Sequence, residues 1–133
     1  MQDMRYQQRF TVSYEIEVIA THDVFAPSNE DLLAAMPAAA DGRRRALVYI
    51  DEGVLTAEAE IVRRIERWFT AHEAAGAHLA ARPETVPGGE AIKNSLEIID
   101  RIGRAVAEQQ LCRHSYIIII GGGAVLDAVG CAA

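Results

Sequence analysis

Cysteine is nearly missing from this chain. The only two, Cys112 and Cys131, form no metal-binding pair and imply no disulfide framework, so a reduced, cytoplasmic protein is expected. Histidine is scarce as well. His22, His72, His78 and His114 are scattered without the spacing of metal ligands and read as structural or exposed. No stretch approaches the roughly 18 apolar residues of a membrane span. The opening MQDMRYQQRF lacks the apolar segment of a signal peptide, so neither a membrane partner nor a secretory leader is expected. An excess of basic residues is also lacking. The net charge of −6 argues against nucleic acid as a partner, because phosphate binding needs a basic stripe. The one basic cluster, Arg43, Arg44 and Arg45, precedes an apolar run and reads as a solvated strand entry. There is no internal repeat, low-complexity tract or linker.

What is present fits one α/β domain over residues 1–133. Half of the residues are hydrophobic and 24% are charged, an ordinary soluble composition. FTVSYEIEV alternates, with Phe10, Val12, Tyr14, Ile16 and Val18 on one side and Thr11, Ser13, Glu15 and Glu17 on the other. Such alternation predicts a half-buried N-terminal strand or ribbon. APSNEDLLAAM predicts a short helix capped by Ser28 and stopped by Pro37. RALVYID (45–51) is a continuous apolar run, as in a parallel strand covered on both faces.

A helix is predicted over 56–76, with Thr56 as cap, Gly76 as stop, and Ile61, Ile65, Trp68 and Phe69 on one face. AHLAA (77–81) reads as a weak strand and RPETVPGG as a loop. A second helix is predicted over 90–110 with Ile92, Leu96, Ile99, Ile102 and Val106 inward. YIIII (116–120) is a third strand, and AVLDAVGCAA opens a third helix. Strand and helix in alternation predict a parallel, Rossmann-like sheet with helices on both faces.

In such sheets ligands bind outside the carboxyl ends of the strands. Three loops leave those ends. In YIDEG, Asp51 can accept hydrogen bonds from both ribose hydroxyls and would repel a 2′-phosphate, favouring NAD over NADP; the alternative is a plain turn. In PGGEAIKN, Gly88 and Gly89 allow close backbone approach, with Glu90 and Lys93 a turn apart on the following helix; the alternative is a helix start with a solvated ion pair. In GGGAVLD, Gly121, Gly122 and Gly123 open a helix whose N–H groups and dipole can hold a pyrophosphate; the alternative is a tight strand-helix turn with no ligand. Ala124 follows them and Asp127 lies about one turn on. The order departs from the usual dinucleotide fingerprint, where glycines follow the first strand and the acid comes about 20 residues later. Here the acid at 51 precedes the glycines at 121–123.

That order, Asp51, then GGEAIK, then GGGAVLDAVGCAA, resembles the N-terminal domain of the dehydroquinate synthase-like sugar-phosphate cyclases, from about residue 44 to the end. The resemblance implies NAD bound between this domain and a C-terminal helical domain holding a divalent metal, usually zinc. It implies Asp51 and Glu90 at the nucleoside ribose, Lys93 toward the active-site end, and Gly88 and Gly89 among the cofactor-binding residues. It further implies Gly121, Gly122 and Gly123 around the pyrophosphate, Asp127 by the nicotinamide, and Ala124 among the cofactor-binding residues. Lys93 and Asp127 are the candidate catalytic residues. The activity implied is 3-dehydroquinate synthase-like cyclisation of a phosphorylated sugar with phosphate elimination, by a homodimer.

Leu126 stands where many dehydroquinate synthases have glycine, and Cys131 where phenylalanine is common. A heptulose 7-phosphate therefore stays open as substrate. The family's metal ligands lie beyond Ala133, so the chain is expected to be the N-terminal part of a longer enzyme, inactive alone. Metal-dependent cyclisation by this chain alone would overturn that expectation. Two alternatives stand beside it: an iron-dependent alcohol or glycerol dehydrogenase-like oxidoreductase, and a non-catalytic nucleotide-binding module.

Overall fold

A computed structural model of the chain describes residues 5–89, 92 and 96–133. In order, the elements are helix α1 (Asp31–Ala35), strand β1 (Arg44–Asp51), helices α2 (Glu52–Ala57) and α3 (Ile61–Ala71), a single 3₁₀ turn (Glu73–Ala75), strands β2 (Ala77–Leu79) and β3 (Glu84–Val86), helix α4 (Leu96–Glu108), strand β4 (Tyr116–Ile120) and helix α5 (Gly123–Ala132). Every strand pairing is parallel, and each is made to β1.

The register fixes the strand order. Ala46 pairs with both Leu79 and Tyr116, while Tyr49 and Ile50 pair with both β3 and β4. A strand residue has one neighbour on each edge, so β2 and β3 lie in series along one edge of β1 and β4 takes the other. The chain thus runs outward from β1 to β2 and β3, then returns through α4 to the opposite flank. That reversal of direction at β1 is a topological switch point.

Side-chain alternation along β1 explains its unbroken apolar run. Ala46, Val48 and Ile50 pack with Ile61, Ile65, Trp68 and Phe69 of α3 and with Phe25 and Met36. Leu47 and Tyr49 pack on the opposite face with Val86, Ile98, Ile102, Val125 and Val129. Two apolar faces on one strand give the three-layer arrangement that the sequence predicts. Gly76 ends the α3 region with φ +87, the left-handed conformation expected of a glycine stop.

Several expectations need correction. Residues 5–20 have no regular secondary structure and are exposed throughout. The alternating segment 10–18 is therefore not a half-buried strand: alternation supplies a face, but a strand also needs a ladder partner, and no described strand pairs with it. The predicted helix over 56–76 is two helices and a turn. Thr56 does not cap it; its hydroxyl donates to the Glu52 carbonyl inside α2 (2.9 Å). Ser28 does not cap α1 either, since the N-cap is Glu30 and the Asn29 side chain accepts from the Asp31 N–H (2.9 Å). RPETVPGG is not all loop, because Glu84–Val86 form β3.

In α4 the buried face is Ile98 and Ile102. Leu96 is 80% exposed and Ile99 lies outward as well. The arginine cluster is also more than a solvated entry. Arg44 donates to the carbonyls of Met36 (2.6 Å) and Ala75, and Arg45 to those of Gln109 (2.7 Å) and Gln110 (3.2 Å). These carbonyls close α1, the 3₁₀ turn and α4, so the two guanidiniums clamp helix ends around the amino end of β1.

Tyr49 is 1% exposed and its hydroxyl has no hydrogen-bond partner among the described residues. Burial raises its pKa above the ordinary 10.0; Glu84 adds to the shift and Arg101 opposes it. An orphaned buried hydroxyl costs about 1–3 kcal/mol. Tyr49→Phe is accordingly expected to add about 1 kcal/mol of stability, seen as a higher urea midpoint at unchanged slope. Because the fold favours the neutral phenol, Tyr49's contribution is complete below 10.0 and is lost as pH climbs past it. The phenylalanine variant should therefore also resist alkali better. A lower midpoint for this variant would mean that the hydroxyl is bonded after all.

Candidate functional site

The carboxyl ends of β1, β3 and β4 bring three loops to one edge of the sheet. Asp51, the last residue of β1 and the N-cap of α2, sits at the centre. Its side chain accepts from the Gly53 N–H at 2.7 Å, which fixes the carboxylate's direction. The second oxygen, Oδ2, takes no hydrogen bond from the described residues. Asp51 is half-buried.

Two of the glycines are there because Asp51 is. A Cβ on Gly88 would lie 2.6 Å from Asp51 Oδ1, and one on Gly121 would lie 2.7 Å from Asp51 Cβ and 3.3 Å from Val125 Cβ. The β3 and β4 loops therefore close on this carboxylate from separate parts of the chain. Gly89 has a different reason for being glycine, its φ of +84.

Gly122 and Gly123 are glycine for neither reason. A Cβ at either would meet nothing within 4 Å, and neither has positive φ. Gly122 is the N-cap of α5, has no side-chain capping bond, and is followed by Gly123 as the first helical residue. The opening N–H groups of a ten-residue helix thus face outward past two residues without side chains. Ala124 is half-buried and Asp127 exposed on the same helix. Glu90 and Lys93, the remaining candidates, lie outside the described residues.

Sequence reasoning missed what holds the β3 loop in place. Arg101 of α4 donates through Nε to Glu84 Oε2 at 2.7 Å and through a terminal nitrogen to the Thr85 carbonyl at 3.3 Å. That pins the strand leading to Gly88 onto α4. An arginine on the polar side of a helix gives no sequence signal of such a role. A hollow of about 440 Å³ lies away from this edge, at the amino end of β4, lined by Leu111, Cys112, Tyr116 and neighbours. Among the described residues no group of three His, Cys, Asp or Glu side chains could hold a metal ion. No described helix is long and apolar enough to cross a membrane.

These features define a parallel α/β protein of the Rossmann-like class, with its polar and glycine residues gathered at the carboxyl edge beside a switch point. Residues 84–133 match the 3-dehydroquinate synthase N-terminal family, which places this stretch in a dehydroquinate synthase-like family. No curated protein matches the chain. The matched stretch holds both glycine loops and Asp127 but not Asp51. Folding alone brings Asp51 to them.

Proposed function

We propose that this chain supplies the NAD-binding part of a cytoplasmic sugar-phosphate cyclase, which closes a ring with elimination of phosphate in the manner of 3-dehydroquinate synthase. The observation that carries the reading is the contact of Asp51 with Gly88 and Gly121 beside the uncapped start of α5. Gly122 and Gly123 leave the room that a pyrophosphate needs at a helix N-terminus. Asp51 Oδ2 is the acceptor for ribose hydroxyls, and Glu90 is assigned the same ribose. Asp127 and Lys93 are assigned the side of the cofactor nearest the substrate.

Bound NAD would supply reversible hydride removal, which acidifies a neighbouring C–H and makes phosphate loss feasible. The chain's own part is to bind and orient that cofactor. Zinc, the metal expected of the family, has no ligand set among the described residues, and no step is assigned to it.

The direct test is calorimetric titration of the folded chain with NAD and NADP. NAD should bind at least about tenfold more tightly, a difference of ~1.4 kcal/mol, because a 2′-phosphate would approach the Asp51 carboxylate. Asp51→Asn keeps the oxygen that accepts from Gly53 but removes the charge. It should narrow that preference with little change in stability. Equal affinity of the unaltered chain for both nucleotides, or none for NAD at millimolar concentration, would sink the assignment.

A further inference from the structure

The amino end of β1 gathers positive charge that the fold does not neutralise. Arg45 is paired in register with His78 of β2, and residues paired across two strands point to the same face. That face is the one on which Leu47 and Tyr49 pack toward α4 and α5. Arg43, two residues before Arg45, comes to the same side. These three side chains line a hollow of about 210 Å³, with no carboxylate among its lining residues.

Their partners differ. Arg45 donates to the carbonyls of Gln109 and Gln110, which fixes its guanidinium and leaves its other N–H groups for a ligand. Those carbonyls, at the end of α4, offset part of its charge. Arg43 has no such partner: among the described residues nothing accepts from its guanidinium, and the Asp41 carboxylate takes its backbone N–H instead (2.9 Å). The His78 ring has no hydrogen bond among the described residues either. The carboxylates of Glu66 and Glu73 border a separate hollow beside His78, on the α3 side. Cationic groups placed side by side repel one another unless an anion sits between them.

We propose that Arg43, Arg45 and His78 form a binding site for a phosphate-type anion, either free or as the phosphoryl end of a monoester. Guanidiniums offer planar N–H forks matched to phosphate oxygens, and the imidazole adds a further donor. The hollow is smaller than the roughly 300 Å³ at which sites for larger organic ligands begin, so it takes the anionic group itself. It is not the nucleotide edge. Asp51 closes the opposite end of β1, about 20 Å from Arg45 at the rise of a parallel strand. The anion site therefore stands independently of the NAD reading.

Amide NMR of the full chain, titrated with sodium phosphate and with sodium chloride at matched ionic strength, tests the site. Phosphate should produce saturable shifts at residues 43–46 and 77–79 in the millimolar range, and chloride should not. Arg43→Gln should weaken phosphate at least about tenfold, the least that a lost charge-assisted bond gives. Its melting temperature should stay that of the parent chain, because the Arg43 guanidinium holds nothing among the described residues. His78→Gln should weaken phosphate as well. Glycerol 3-phosphate separates the two sources of the anion: tighter binding than phosphate assigns a monoester, and weaker binding assigns the free ion. Shifts that never saturate, or that fall on residues 121–124 alone, would overturn the site. So would undiminished phosphate affinity in both Arg43→Gln and His78→Gln.

Discussion

Gly122→Val is expected to weaken NAD binding by at least about a hundredfold, ~2.7 kcal/mol, while the melting temperature moves by no more than about 2 °C. Both halves follow from local geometry. Gly122 has φ −85 and ψ 178, which valine adopts without strain, and its Cβ would meet nothing within 4 Å. The fold therefore loses little beyond the N-cap preference for glycine over valine. A ligand approaching the first N–H groups of α5 would instead meet the new methyls where the backbone should touch phosphate.

The neighbouring position separates the two effects. At Gly121 even alanine would drive its Cβ to 2.7 Å from Asp51 Cβ and 3.3 Å from Val125 Cβ. Neither atom is the free end of a flexible side chain, so β1, β4 and α5 must shift. Gly121→Ala should cost about 1–3 kcal/mol of stability, the usual range for overpacking. Calorimetric titration and thermal melts of the two variants check this directly. Affinity for NAD unchanged in Gly122→Val would mean that the pyrophosphate lies elsewhere, whatever the stability of Gly121→Ala.

That contrast also marks where sequence reading stops. YIIII and RALVYID announce their strands because burial on both faces leaves no polar position, and the observed bounds fall at Tyr116–Ile120 and Arg44–Asp51. The α3 face was equally legible, since Ile61, Ile65, Trp68 and Phe69 recur at helical spacing and are all buried. β3 was not. Three residues between two prolines carry no periodicity, and their strand state comes from pairing with Tyr49, Ile50 and Asp51 far back in the chain. In α4 the apolar residues 96, 98, 99, 102 and 106 cover more than one stripe. Only packing against α5 and the sheet decides that Ile98 and Ile102 go inward. At the site, glycines are visible in sequence but their reasons are not. Gly121 serves Asp51 and Val125, whereas a side chain at Gly122 would meet nothing among the described residues.

Trp68→Ala should remove about 3–5 kcal/mol of stability, out of the roughly 5–15 kcal/mol that a domain commonly has. Trp68 is fully buried, meets Phe69 edge-on with centroids 5.1 Å apart, and stacks on His72 at 4.3 Å. Its Nε1 also donates to the Asn29 carbonyl at 2.9 Å, and the Asn29 amide in turn donates to Thr21 Oγ1 and to the carbonyls of His22 and Asp23. One side chain thus fills the α3 core and ties the segment preceding α1 down onto it.

Trp68→Phe divides these duties. It keeps an aromatic ring in the core but leaves the Asn29 carbonyl without its donor, a loss of about 1–2 kcal/mol, and limited proteolysis should then cut between residues 20 and 36, in addition to the exposed segment 5–20 that is open in the parent chain as well. Urea unfolding followed by far-ultraviolet circular dichroism measures both variants without needing the lost indole. NAD affinity in Trp68→Phe should stay that of the parent chain, because α3 packs against a face of β1 whereas Asp51 and the glycine loops occupy its carboxyl end. If the phenylalanine variant proves as destabilised as the alanine one, the Asn29 bond rather than core volume is what fastens this half of the fold.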